Sequence, residues 1–132
     1  MKLNTTAHYG LVAAGYMAEQ ADGGWVMANT ISAKFDIPME YLLRIMQQMV
    51  RANVLVSKRG PKGGYKLARP AKEITLLEII EAAGGPIASY LELAHVAKKA
   101  PFSVKMEGVC EKAFGKATSI LSRAKLSQMI AK

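Results

Sequence analysis

The run Lys58-Arg59-Gly60-Pro61-Lys62-Gly63-Gly64 sets three cations among three glycines and a proline. Glycine carries no Cβ, so backbone at such a tip can approach a phosphate or a groove wall closely, and the cations supply charge that a polyanion attracts. Upstream, Glu40, Arg44, Gln47 and Arg51 recur at intervals of three and four. A helix gathers them on one face, opposite Leu42, Ile45, Met46, Met49 and Val50. On that face an arginine has the fork that fits a guanine O6/N7 edge, and a glutamate can accept from a cytosine amino group. A solvated helix face would show the same pattern. The cationic segment close behind it is the feature that favours recognition of base edges and phosphates.

Other chemistry is poorly served. GPKGGY lies within a candidate hairpin rather than at a strand-to-helix junction, so it is not a nucleotide-cradling loop; no nucleophile–base pair is evident, and no catalytic residue is assigned. Glu92 and His95 are three residues apart and share a helical face. Two ligands without partners describe a packed or solvated pair better than a metal site, and neither metal nor cofactor is expected. The single Cys110 excludes an intramolecular disulfide and cannot form a zinc site alone. Two roles stay open for it, a thiol sensor and a small buried hydrophobe on a helix.

The elements that must position the reading face are set by period and punctuation. Val54-Leu55-Val56 and Tyr65-Lys66-Leu67 are strand-like and flank the cationic tip, which makes a hairpin. Ahead of the reading helix, Asp36-Ile37-Pro38 predicts a turn, because Pro38 disfavours helix at Ile37 and suits the first turn of the next helix. Ala28 to Phe35 predicts a short helix with Ile31 and Phe35 turned inward, preceded by an extended Trp25-Val26-Met27. Helix, tight turn and helix make a helix-turn-helix, whose second helix enters a major groove. A first helix runs from about Thr6 to Gln20, capped by Asn4, Thr5 or Thr6, with Leu11, Ala14 and Ala18 on one stripe and Asp22-Gly23-Gly24 after it. Lys2 and Thr5 either touch phosphate or serve in plain capping. His8 and Tyr9 sit in its first turn, and a lone histidine there reads as structural or solvated rather than as a ligand.

Beyond the hairpin, Ile74, Leu77, Ile79, Ile80 and Ala83 predict a helix that Thr75 caps, with Glu78 placed for a capping box and Gly84-Gly85-Pro86 as its stop. Ile87 to Lys99 predicts another, with Leu91, Ala94 and His95 inward, and Pro101 interrupts before the last segment. From Gly108, Cys110, Ala113, Ala117, Ile120 or Leu121, and Ala124 form an apolar stripe of mostly small residues with a nearly seven-residue repeat. Pairing with the same helix of a second copy through Ala113, Ala117, Leu121 and Ala124 is its natural use, and packing on its own domain is the alternative. Leu126, Met129 and Ile130 can then pack back.

The 132 residues suit one ordinary domain, and 51% hydrophobic residues suffice for a core. A formal net charge of +8 favours nucleic acid or an anionic membrane surface as partner. No apolar run approaches the roughly 20 residues of a membrane helix, and the N-terminus lacks a signal-peptide core, so a cytoplasmic protein in a reducing compartment is expected.

These stretches resemble the Rrf-type winged helix-turn-helix transcription regulators of bacteria, the IscR-, NsrR- and CymR-like family. The likeness is carried by MKLNTTAHYGLVA, DIPMEYLLRIMQQM, LVSKRGPKGGYKLAR and ITLLEIIEA, about the first two thirds of the chain. The RGPKGGY hairpin followed by ITLLEIIEA is its specific part. The resemblance implies a mainly α fold with a small β-hairpin wing and a long C-terminal dimerisation helix. Residues 1–84 would form the DNA-binding domain and residues 85–132 an effector or linker region with that helix. It further implies a homodimer on a palindromic operator in double-stranded DNA, usually as a repressor, with the wing arginine in the minor groove. Glu40, Tyr41 and Arg44 then fall at readout positions, and Arg59, Gly60 and Pro61 at the wing tip; Gln47, Lys58, Lys62, Lys2 and Thr5 complete the expected DNA contacts.

Two departures stand out. Leu43 occupies a position where some members carry a carboxylate that discriminates between operators, so their base preference does not transfer. Many members also hold an iron-sulfur cluster on three clustered cysteines after the wing, where this chain has Ser89, His95 and Ser103 and, near the end of that region, Cys110. One thiolate is not a cluster site. The expectation is a cluster-free dimeric regulator with an unknown effector. Its competitor is a protein-interaction module that docks an acidic partner on the basic face. Salt-sensitive, sequence-specific duplex binding distinguishes them.

Overall fold

The computed structural model describes residues 2–20, 23–87 and 92–130. Among the described residues, six α-helices, α1 (Thr5–Glu19), α2 (Ala28–Phe35), α3 (Met39–Arg51), α4 (Leu76–Gly84), α5 (Leu93–Val96) and α6 (Pro101–Arg123), accompany one antiparallel hairpin, β1 (Leu55–Lys58) and β2 (Gly64–Leu67). The architecture is therefore mainly α, with the hairpin inserted between α3 and α4 and the longest helix near the C-terminus. The core is built from both ends of the chain: Ala14 and Met17 from α1, Ile31 from α2, Leu42, Ile45, Met46 and Met49 from α3, Leu55 from β1, Ile79 from α4, and Leu126 from a 3-10 turn after α6.

Local chemistry explains the element boundaries. Asn4 caps α1 by accepting from the Ala7 N–H at 2.9 Å, and its amide also donates to the Gly84 carbonyl at 2.8 Å, tying the start of α1 to the end of α4. The two helices pack closely: a Cβ on Gly10 would lie 2.4 Å from the Ala83 Cβ, so only glycine allows this approach. Thr75 and Glu78 form the capping box of α4, with Thr75 Oγ1 accepting from the Glu78 N–H at 3.1 Å and a Glu78 carboxylate oxygen accepting from the Thr75 N–H at 3.1 Å. After α6 the chain returns to this junction. Leu76 N–H donates to Ala124 O and Leu126 N–H to Ile74 O, at 2.9 and 2.8 Å, which makes an isolated antiparallel bridge and drives Leu126 into the core.

Several expectations need correction. The buried stripe of α1 is Ala7, Gly10, Ala14 and Met17 with Ala13, while Leu11 and Ala18 lie at its half-buried edges. Phe35 is exposed, set edge-on to Tyr16 with centroids 5.8 Å apart, because the last turn of α2 runs past the core. Ile74 precedes α4 in extended backbone. The helix expected over residues 87–99 is only α5 among the described residues, since Lys98 and Lys99 take left-handed conformations (φ 54° and 61°) and their N–H groups close back on His95 O and Ala94 O. His95 is exposed rather than inward, and Leu91 lies outside the described residues. Pro101 opens α6 at its first turn, so this helix begins well before Gly108. Cys110 and Met129 are exposed; among the described residues after α6, only Leu126 is fully buried.

Candidate nucleic-acid interface

The turn between α2 and α3 is fixed by backbone and side chain together. Asp36 takes the left-handed conformation (φ 55°) that caps α2, the Ile37 N–H donates to Ser32 O at 3.1 Å, and Ser32 Oγ donates to Ile37 O at 2.5 Å. Ile37 itself is buried, so the turn is anchored from inside as well. Helix α3 then divides cleanly. Leu42, Ile45, Met46 and Met49 face the core, and Met39, Glu40, Tyr41, Leu43, Arg44 and Gln47 face outward.

Tyr41 ties that outward face to α1. Its ring meets Tyr9 edge-on with centroids 5.7 Å apart and planes at 89°, and the Arg44 guanidinium carbon lies 5.9 Å from the Tyr41 centroid. Arg44 is thus held on its outward face by an aromatic ring. Thr5 precedes Tyr9 by one helical turn and shares its side of α1, which faces toward α3. Lys2, ahead of the Asn4 cap, is exposed.

The hairpin pairs in strict antiparallel register from Leu55↔Leu67 to Lys58↔Gly64. Val26 extends it by exchanging both backbone hydrogen bonds with Tyr65 at 2.8 Å. The glycines at the tip are obligatory: a Cβ on Gly63 would sit 2.0 Å from the Lys58 carbonyl oxygen, and Gly64 combines φ 138° with a Val26 carbonyl 2.5 Å from where a Cβ would be. Arg59, Gly60, Pro61 and Lys62 form the exposed tip. Lower down, the Trp25 ring has the Lys66 ammonium 4.6 Å from its centroid and that of Lys58 at 5.8 Å.

Arg69 fixes the base of the hairpin. It forms an ion pair with Glu78 of α4 and donates to Glu73 O at 3.0 Å and to Asn53 O at 3.3 Å. Partial burial pushes the Glu78 carboxyl up, but the hydrogen bonds from Arg69 and from the Thr75 N–H, with the Arg69 charge, outweigh it and hold the pKa below the ordinary glutamate value. Glu78 therefore serves helix capping and hairpin anchoring at once.

Glu40, Tyr41, Arg44 and Gln47 are accordingly gathered on one helix, and Lys58 to Lys62 at the end of one hairpin. Three contributors escape sequence reasoning. Tyr9, given no role by the sequence, supports Tyr41; Trp25 braces two hairpin cations; Arg69 locks the hairpin to α4. A lone tryptophan close to a cationic hairpin is the available signal for the second. The first and third depend on contacts between distant segments and have none.

On α6, Ala113 is exposed while Ala117 and Leu121 are half-buried in the single chain; Ala124, expected on the same helical stripe, lies just past the helix in extended backbone, where its carbonyl accepts from the Leu76 N–H. The most exposed apolar ridge runs alongside them through Phe102, Met106, Val109 and Ile120, with Val109 and Ile120 each 69% exposed.

The family described as Rrf2, iron-dependent transcriptional regulator, matches residues 3–132. The HTH-type transcriptional regulator IscR of Cereibacter sphaeroides is 39% identical over 84 residues, which cover 62% of this chain and 54% of that protein. The putative HTH-type transcriptional regulator BadM of Rhodopseudomonas palustris is 39% identical over 80 residues, 61% of this chain and 51% of that protein. The chain thus spans about half the length of these curated relatives. Among solved structures, CymR, the global cysteine regulator of B. subtilis, superposes with a TM-score of 0.78 at 24% identity, covering 98% of this chain and 95% of that one. T. potens IscR gives 0.76 at 25% identity over 98% and 85%. The CymR match shows the winged-helix fold alone.

The iron in the family's description finds no fitting donor set here. The chain has a single cysteine, and among the described residues no three His, Cys, Asp or Glu side chains come together where they could hold a metal ion. A cluster normally held by about four mostly thiolate ligands does not match one exposed thiol.

Proposed function

The chain belongs to the Rrf2 family of transcriptional regulators, and from that premise we propose that it works as a dimeric, cluster-free DNA-binding repressor reading a palindromic operator. Helix α3 enters the major groove and the hairpin tip lies in the flanking minor groove. The observation that carries this reading is the division of α3: one face is fully committed to the core, while Glu40, Tyr41, Arg44 and Gln47 are exposed on the other, followed in the chain by a cationic hairpin braced at its base. Such a pair of elements has the form in which winged helices meet duplex DNA. Lys58, Arg59 and Lys62 supply charge to the minor groove, with Gly60 and Pro61 shaping the tip, and Lys2 and Thr5 contact the phosphate backbone.

Residues 1–84 form the DNA-binding unit in this reading, and residues 85–132 an effector or linker region with the dimerisation helix. Two copies of α6 pair along Ala113 and the exposed ridge of Met106, Val109 and Ile120, with Ala117 and Leu121 at the flank and Ala124 just past the end of the pairing helix. Helix α6 is about 35 Å long at 1.5 Å per residue, enough to set a fixed spacing between two reading helices. Signal reception falls to something other than an iron-sulfur cluster, and Cys110, exposed on α6, is the thiol positioned to sense oxidation.

Selection of bound duplexes from a random pool tests the whole reading. A palindrome with half-sites about one helical turn apart is the expected product, bound with strong salt dependence. Weak binding that ignores sequence would instead favour a module that docks an acidic protein on the same face.

A further inference from the structure

Two of the outward residues of α3 are apolar. Met39 and Leu43 are 38% and 39% exposed although the core side of the same helix is already complete in Leu42, Ile45, Met46 and Met49. They are four residues apart, so their side chains adjoin on the helix surface, and Glu40 and Gln47 are the next neighbours of Leu43 along that surface. The pair therefore leaves more than a third of its surface uncovered within the chain, and that apolar part is poorly hydrated when free.

This inference rests on the DNA-binding reading and makes it specific. Facing the major groove, the pair would meet hydrogen-bonding base edges and charged phosphates, and one apolar group: the C5-methyl of thymine. The geometry points to Leu43 and Met39 as an apolar seat for a thymine methyl in each half-site, so that α3 selects an A·T pair there by methyl contact. Gln47, one turn beyond Leu43, carries the amide that pairs with adenine N6 and N7, which equips adjoining residues for both bases of that pair. Arg44 and Glu40 read the neighbouring G·C positions by hydrogen bonds.

The test uses the selected operator with each thymine replaced in turn by deoxyuridine, a change that removes the methyl and keeps every hydrogen-bonding group. One thymine per half-site should be sensitive, losing about fourfold in affinity if a single methyl is fully buried. The loss should vanish in Leu43→Ala or Met39→Ala, while both variants keep their salt dependence. Leu43 and Met39 are exposed and alanine is the better helix former, so both variants fold. As a converse, 5-methyldeoxycytidine in place of cytosine at that position should recover part of the affinity for the wild type and none for Leu43→Ala. If the operator is selected but no thymine is sensitive, or sensitivity survives both alanine variants, the methyl seat is refuted while DNA binding stands. If no duplex is selected, the DNA-binding reading fails and this inference with it.

Discussion

Arg44 and Arg59 carry different information although both are exposed cations. Arg44 is restrained by the Tyr41 ring, which in turn leans on Tyr9, so in the proposed complex its guanidinium meets the groove already positioned. Arg44→Ala should relax preference at particular base pairs by about 1–3 kcal/mol, measured as the difference between operator and point-mutant duplexes. Equal weakening on operator and random DNA would mean a phosphate contact instead. Arg59 stands at the hairpin tip, which in the proposed complex lies in a narrow minor groove, where negative potential is concentrated. Arg59→Ala should lower affinity for operator strongly and flatten its salt dependence; unchanged titrations at two salt concentrations would take the hairpin off the DNA. The outward positions of Glu40, Arg44 and Gln47 are legible because the helical period alone fixes them. The aromatic brace is not, since Tyr9 and Tyr41 belong to helices whose packing no local pattern announces.

Among elements, the junction of hairpin and α4 is the most chemically specified. Glu78 accepts from Thr75 and pairs with Arg69, and its pKa is lowered on folding. A depressed carboxylate pKa contributes stability above the unfolded value and loses it as pH falls through the folded one. Wild type should therefore exceed Glu78→Gln in stability most at neutral pH, with the gap closing as pH falls through the ordinary glutamate range near about 4.3 and on to the lower folded value. Denaturant melts across that range decide it, and a gap independent of pH would rule out the carboxylate as its source. Half of this junction is readable, because the Thr75–Glu78 spacing is a capping signature; the arginine that completes it lies beyond helical reach. Helix α6 reads short in the sequence for a related reason. Its start at Pro101 depends on two left-handed lysines that no sequence rule marks. Its exposed ridge yields a sharper test of assembly than the alanines do: Ile120→Asp should give a monomer in sedimentation that binds a half-site and no longer distinguishes a palindrome. A variant that stays dimeric would move the interface elsewhere.

At the scale of the whole molecule, the net charge of +8 sets a general attraction to polyanions, while the fold decides where that charge is displayed. The chain is also closed on itself in a way that the proposed partition at residue 84 conceals. Leu126 is 2% exposed and lies in the same core as α1, α3 and α4. Leu126→Ala should cost about 2–5 kcal/mol, seen as a lower denaturant midpoint of the whole cooperative transition. A separate, weaker transition for the tail would contradict a shared core. The sequence pattern marks Leu126 correctly as packing back and misleads at Met129, because a short 3-10 turn can bury only one side of itself.

That single leucine also sets an order of events in time. A ribosome moving at roughly 5–20 residues per second needs about 2–8 s to go from Gly84 to Leu126. For those seconds the nascent chain holds the reading helix, the hairpin and the helices behind them around a hole that only a residue not yet made can fill. Helix α6 is made within the same interval and ends three residues ahead of Leu126, so in the proposed dimer the pairing helix is complete before the core behind the reading helix can close.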